Sequence, residues 1–114
     1  MRDARRGRKF GRETDQRRAL LSGLASSLII HGKMKTTEAR AKEVRKFLEP
    51  IITTAKKQTL TARRRVGSQL NARAAARVMT VAKGYEHRSG GYLRITKLGN
   101  RGGDAARVAL IEFV

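Results

Sequence analysis

Apolar residues recur with a helical period along most of this chain and switch to an alternating period near its end. In ETDQRRALLSGLASSLIIHGK, Leu21, Leu24, Ala25, Leu28 and Ile29 fall at i, i+3, i+4, i+7 and i+8, one apolar stripe along a helix. Thr14 or Asp15 can cap its start, where an acid also suits the helix dipole. His31-Gly32 marks its end, with Gly32 able to take the left-handed cap. The short stretch KMKTT alternates basic and apolar positions and predicts a brief strand. Thr36 or Thr37 then caps a second helix, in which Val44, Phe47, Leu48, Ile51, Ile52 and Ala55 repeat at three- and four-residue spacing. Pro50 interrupts this stripe. Proline inside a helix removes one hydrogen bond and clashes with the preceding turn, at a cost of ~3 kcal/mol. The stripe keeps its phase on both sides, so a kink near Lys46–Pro50 is expected and not a stop.

A short helix is expected over residues 60–69 and another over 71–83. In the second, Asn71 serves as cap, Ala74, Ala75, Val78, Met79 and Ala82 face inward, and Gly84 ends the helix. In GGYLRITKL the period changes: Leu93 and Ile95 share one face, Arg94 and Thr96 the other. GNRGGD is rich in turn residues, and RVALIEFV reads as a strand apolar on both faces. Helices and strands are segregated along the chain, which argues for an α+β fold: about four helices packed on a small three-stranded sheet, with a basic extended N-terminal arm. The expected division is an arm at 1–12 and a single α+β domain at 13–114.

Charge changes the picture from fold to function. Of 114 residues, 27 are basic and 9 acidic, a net charge of +18. Such a surplus repels itself unless an anion neutralises it, so a polyanion is the expected partner, nucleic acid first and an anionic membrane surface second. Arginine outnumbers lysine 18 to 9. Guanidinium forks onto phosphate oxygens and stacks on bases, which leans the reading towards folded nucleic acid. Cysteine is absent, which excludes disulfides, thiolate zinc sites and thiol catalysis and is compatible with a reducing, cytoplasmic setting. The longest apolar run falls far short of the ~18–20 residues of a membrane span, so no membrane insertion is expected. The first twelve residues lack the apolar middle of a secretory signal, and Asp3 and Glu13 count against a transit peptide.

Catalytic chemistry finds little to work with. His31 and His87 stand far apart, and no cluster of His, Cys and carboxylates suggests a metal. The acids lie mostly beside Lys or Arg on predicted helices, as in the i, i+4 pair Glu38 and Lys42. GNRGGD lacks the Lys-Ser/Thr of a phosphate-binding P-loop and no helix follows it. The expectation is a non-enzyme with no cofactor, no metal and no small-molecule substrate.

Binding remains. MRDARRGRKFGR places Arg2, Arg5, Arg6, Arg8, Lys9 and Arg12 in the arm. A second cluster is Arg63, Arg64 and Arg65, within a stretch from 51 to 85 that contains eight basic residues and no acid. A third is Arg88, Arg94 and Arg101 around the strands. Gly90-Gly91 allows close approach of backbone amides to phosphate, and Tyr92 is a candidate for base stacking. No zinc finger, basic zipper or RNP motif is present, and aromatics are only 4%, too few for a single-strand stacking platform. A small core with a basic tail that orders on binding suits structured RNA.

Specific strings carry the reading further. GRKFGR, RRAL with ASSL, KMKTTEARAKEVRKFLEPIITTAKK, RSGGYLRITKL and GGDAARVALIEFV occur in that order from the start to the end of the chain. In these the chain resembles the bacterial large-ribosomal-subunit proteins of the L-seventeen family. It departs from them at Gly11, where Asn is usual, at Glu13-Thr14-Asp15-Gln16, and in a stretch between RRR and GGY that is slightly shorter and lacks the acids usual there. The resemblance implies a structural component of the large ribosomal subunit that binds and stabilises large-subunit ribosomal RNA on the peptide exit tunnel side, among neighbouring large-subunit ribosomal proteins. By motif position it implies RNA contacts at Arg2, Arg8, Lys9, Arg12, Arg18, Lys35, Thr36, Arg63, Arg64, Arg88, Tyr92 and Arg94. Charge alone adds Arg5, Arg6, Arg65 and Arg101. The rival readings are a DNA-compacting protein, a hydrolase or transferase hidden in the α+β core, and a basic amphipathic membrane binder.

Overall fold

The structure, a computed structural model, describes residues 13–114; the arm expected at 1–12 lies outside the described residues. Helix α1 spans Thr14–His31, strand β1 Lys33–Thr37 and helix α2 Glu38–Ala55. Helices α3, Leu60–Gly67, and α4, Ala72–Val81, follow, then a 3-10 turn at Ala82–Tyr85 and strands β2, Leu93–Asn100, and β3, Arg107–Phe113.

Local chemistry accounts for most of the boundaries. Gly32 adopts φ 83° after α1, and its N–H bonds the Leu28 carbonyl at 2.7 Å, the left-handed cap that a Cβ would oppose. At the start of α1 the expectation fails: Glu13 holds the cap position without a side-chain bond, and Thr14 and Asp15 lie inside the first turn. Thr37, Thr59 and Asn71 cap α2, α3 and α4, accepting from the backbone N–H of Arg40, Ala62 and Ala74 at 3.3, 3.0 and 2.8 Å. Helix α2 runs unbroken through Pro50. Its apolar stripe, buried at Ala41, Val44, Leu48, Ile51, Ile52 and Ala55, anchors both halves. Gly84 does not end α4 as expected. The helix tightens into the 3-10 turn three residues earlier, a common way for a helix end to satisfy its last carbonyls.

The sheet is antiparallel with order β1-β3-β2, so the last strand of the chain is its centre. Helix α2 packs on all three strands, α1 and α4 pack on α2, and α3 packs on α2 and α4. One contiguous core results, from Leu28 and Ile29 through the α2 stripe to Val66, Val78, Tyr92 and Ile111. Strand β3 is only partly as expected. Ala109 and Ile111 face this core and are fully buried. Val108 and Leu110 point to the other face, where no further layer among the described residues covers Leu110 completely. A central strand flanked by long basic side chains keeps such positions partly dry through their aliphatic stems.

Candidate nucleic-acid interface

Strand parity builds the first cationic surface. Met34 packs on the core, so Lys33 and Lys35 project from the opposite face and both are exposed. The register aligns Lys33, Glu112 and Arg94 in one row across the sheet, and Lys35, Leu110 and Thr96 in the next. Arg94 reaches Glu112 at 3.5 Å. Thr36 has core-side parity and is half-buried. It still borders a shallow cavity of about 480 Å³ shared with Lys35, Leu98, Asn100, Arg101, Gly102 and Val108. A register shift between Lys97 and Gly99, with Gly99 at φ 99°, bulges β2 and leaves Leu98 half-exposed at the rim.

Helix α3 builds the second. Ala62 and Val66 bury its inner side, so Arg63, Arg64 and Arg65 are left to solvent and all three are exposed. None forms an ion pair with a described residue. Arg73 and Arg77, one turn apart on α4, are exposed as well. Arg18 is exposed on α1 and lines a cleft with Asp15, Ser22, Phe47, Ser68 and Gln69.

Around the strands the expected cluster divides. Arg101 does not stand free: its Nε and Nη2 donate to the two Asp104 carboxylate oxygens at 3.0 and 2.7 Å. The Arg101 guanidinium and the Ala106 N–H hold Asp104 down at about 2, and the same pairing raises Arg101. Arg88 is exposed and donates to the Gly91 carbonyl at 3.1 Å.

Tyr92 overturns its expectation. The side chain is 0% exposed, so its ring offers no face to a base. It packs beside Tyr85, ring centroids 5.2 Å apart. Its hydroxyl lies 3.1 Å from Thr53 Oγ1 and 3.0 Å from Lys56 Nζ. Burial raises its pKa, but the hydrogen bond shared with Thr53 and the one donated by Lys56 outweigh that and leave it below the ordinary phenol range. Tyr85 moves the other way: burial raises it against the opposing charge of Arg88.

Sequence reasoning missed Lys33 and Lys56. The alternation of KMKTT signals Lys33 as well as Lys35. Lys56 has a subtler signal. Glu49 and Thr53 on α2 and Lys56 at its C-cap stand at i, i+4 and i+7, a polar stripe beside the apolar one, and all three grip the segment 88–93. Arg2, Arg5, Arg6, Arg8, Lys9 and Arg12 lie outside the described residues. Among the described residues no helix is long and apolar enough to cross a membrane, and no three His, Cys, Asp or Glu side chains converge as metal ligands would.

A family model described as Ribosomal protein L17 matches residues 20–114. The chain belongs to the ribosomal protein L17 family. Its relatives carry the resemblance almost end to end. The chain is 47% identical to the large ribosomal subunit protein bL17 of Methylacidiphilum infernorum, over 99% of this chain and 88% of the relative. It is 48% identical to the bL17 protein of Clostridium botulinum strain Loch Maree and 47% identical to that of Clostridium acetobutylicum. Each of these alignments spans 94% of this chain and 96% of the relative. The family match covers both cationic surfaces.

Proposed function

We propose that this chain is a non-enzymatic structural component of the large ribosomal subunit that binds and stabilises large-subunit ribosomal RNA on the peptide exit tunnel side, beside other large-subunit proteins. Family membership supports the ribosomal assignment. The observation that carries RNA binding is the run Arg63–Arg65, exposed on a helix whose inner face is buried and without a described acid to neutralise it. The outer face of the sheet, with Lys33, Lys35 and Arg94, gives a second place for phosphates. The arm at 1–12 supplies six more basic side chains.

The mechanism is passive. Folded RNA crowds phosphates together, and arginine forks cancel the charge. The chain should co-sediment with large subunits through a sucrose gradient at moderate salt. By analogy with duplex DNA, 6–10 phosphate contacts lose roughly 10³–10⁵ in affinity between 50 and 200 mM salt. Migration at the top of the gradient at low salt, or RNA affinity flat in salt, contradicts the proposal. Equal affinity for duplex DNA and ribosomal RNA favours a DNA-compacting role instead.

A further inference from the structure

Lys56 looks from its sequence like one more phosphate contact, but its surroundings say otherwise. Its ammonium donates to the Arg88 carbonyl and, at 3.0 Å, to the Tyr92 hydroxyl. It lies 5.2 Å from the Tyr92 ring centroid. That distance, set against 3.0 Å to the oxygen, places the charge beyond the hydroxyl end of the ring, so hydrogen bonding and not the π face holds it. The residue is half-buried, and these two oxygens take two of its three N–H donors.

Its neighbours complete a grip on one segment. Glu49 Oε2 accepts from the Leu93 N–H at 3.2 Å, and Thr53 meets the Tyr92 hydroxyl at 3.1 Å. From the other side Arg88 N–H bonds the Tyr85 carbonyl at 2.9 Å, and Val114 N–H bonds the Tyr92 carbonyl at 2.9 Å. Between these anchors residues 86–91 are exposed, and no regular element supports them. Of the anchors, the Lys56 bond is the one that ties the Arg88 backbone itself to the rigid face of α2.

We propose that Lys56 is a positioning residue: it acts on RNA only through Arg88, by pinning the Arg88 backbone so that the guanidinium is presented at a fixed place on the surface. The inference rests on the RNA-binding reading above and adds a division of labour within it. A bound carbonyl and phenol take two of the three ammonium donors and fix its place, and the residue this proposal sets against phosphate is the exposed arginine thirty-two positions on.

A double-mutant cycle tests this with the full chain and a transcript of the large-subunit ribosomal RNA, titrated at several salt concentrations. Arg88→Ala should weaken binding and reduce the salt slope by about 1, the signature of one lost phosphate contact. Lys56→Met should reproduce both changes. In the Arg88→Ala background, Lys56→Met should then change neither affinity nor slope, because the residue it serves is gone. Additive losses, with the slope falling by about 2 in the double variant, would make Lys56 a phosphate contact in its own right and overturn the proposal. Wild-type binding by Lys56→Met with a lowered melting temperature would make it merely structural, which overturns it too. Should Lys56→Met fail to fold, Lys56→Gln keeps a neutral donor at the site, and the same requirement of no further loss beside Arg88→Ala applies. If the unaltered chain shows no salt-dependent binding at all, the RNA reading itself falls; if it binds but Arg88→Ala is silent, only the present proposal does.

Discussion

Helix α3 presents three consecutive arginines with no carboxylate among the described residues to meet them, whereas Arg94 and Arg101 of the β2–β3 hairpin each have a carboxylate beside them. Arg94 lies 3.5 Å from Glu112 across the sheet, and Arg101 is forked onto Asp104 within the hairpin loop. The residue type is the same and both regions are exposed, so composition alone ranks them equally. Physically they differ. A guanidinium already satisfied by a carboxylate must give up or share that partner before it can serve a phosphate, while the α3 side chains have no described carboxylate to give up. Among the described residues, cationic surface free of a carboxylate partner is therefore smaller than the count of basic residues, and it includes Arg63, Arg64, Arg65, Lys33 and Lys35.

The largest expected effect comes from the unpaired set. Replacing Arg63, Arg64 and Arg65 together by Ala should cut affinity for large-subunit ribosomal RNA by roughly 10² or more at moderate salt and lower the salt slope by about 2–3. Stability should hold, because Ala is at least as good a helix former as Arg and the buried Ala62 and Val66 are untouched. A melting temperature within a few degrees of the parent, about 4–8 °C per kcal/mol for domains of this scale, separates lost contacts from lost folding. The paired set should matter less: Arg94→Ala with Arg101→Ala is expected to lose under about tenfold. Filter binding over a salt series reads both, and a hairpin loss equal to the α3 loss breaks the comparison.

Releasing the paired arginines sharpens it from the other side. Glu112→Gln frees Arg94 and removes a negative charge from the outer sheet face. Asp104→Asn frees Arg101 while keeping an oxygen that can accept from the Ala106 N–H, 3.1 Å away. Each should raise RNA affinity by roughly two- to threefold at low salt and less at high salt, as screening predicts. Unchanged or weaker binding in both variants means the hairpin does not lie on the RNA.

What could be read beforehand divides along the same physical line. The apolar stripe of α2, the alternation in β1 and β2, and the caps at Gly32, Thr37 and Asn71 rest on contacts a few residues apart, and sequence spacing encodes these directly. The choice of β3 as the central strand and the burial of Tyr92 depend on partners thirty or more residues away. Nothing near Tyr92 in sequence announces that Thr53 and Lys56 will close over its hydroxyl. Tyrosine suits a wet stacking surface and a dry pocket with one polar partner equally well, so its role had to wait for the fold. The pairing of Arg101 with Asp104 is an intermediate case. The spacing is short, but the carboxylate turns back onto the arginine only because the loop closes, with the Arg101 N–H bonded to the Ala106 carbonyl at 2.7 Å.

That closed loop also sets the smallest and most local prediction. The Arg101 guanidinium, aided by the Ala106 N–H, holds the Asp104 carboxyl at about 2, below its ordinary value of 3.8. A carboxylate whose folded pKa is depressed stabilises the fold above its ordinary pKa and loses that contribution as pH falls through the folded value. The loop should thus keep its ion pair from neutral pH down past 3.8 and open only as the pH approaches 2. Both groups lie in solvent, so the effect is confined to the loop, and global stability should barely follow it. Carbon-detected NMR of the Asp104 carboxyl is expected to show a midpoint near 2 in the parent chain. In Arg101→Ala it should move up towards 3.8, stopping short because the Ala106 N–H still donates. A parent midpoint already near 3.8 would mean that Arg101 swings free in solution, and the hairpin would then rank with α3 as an open cationic surface.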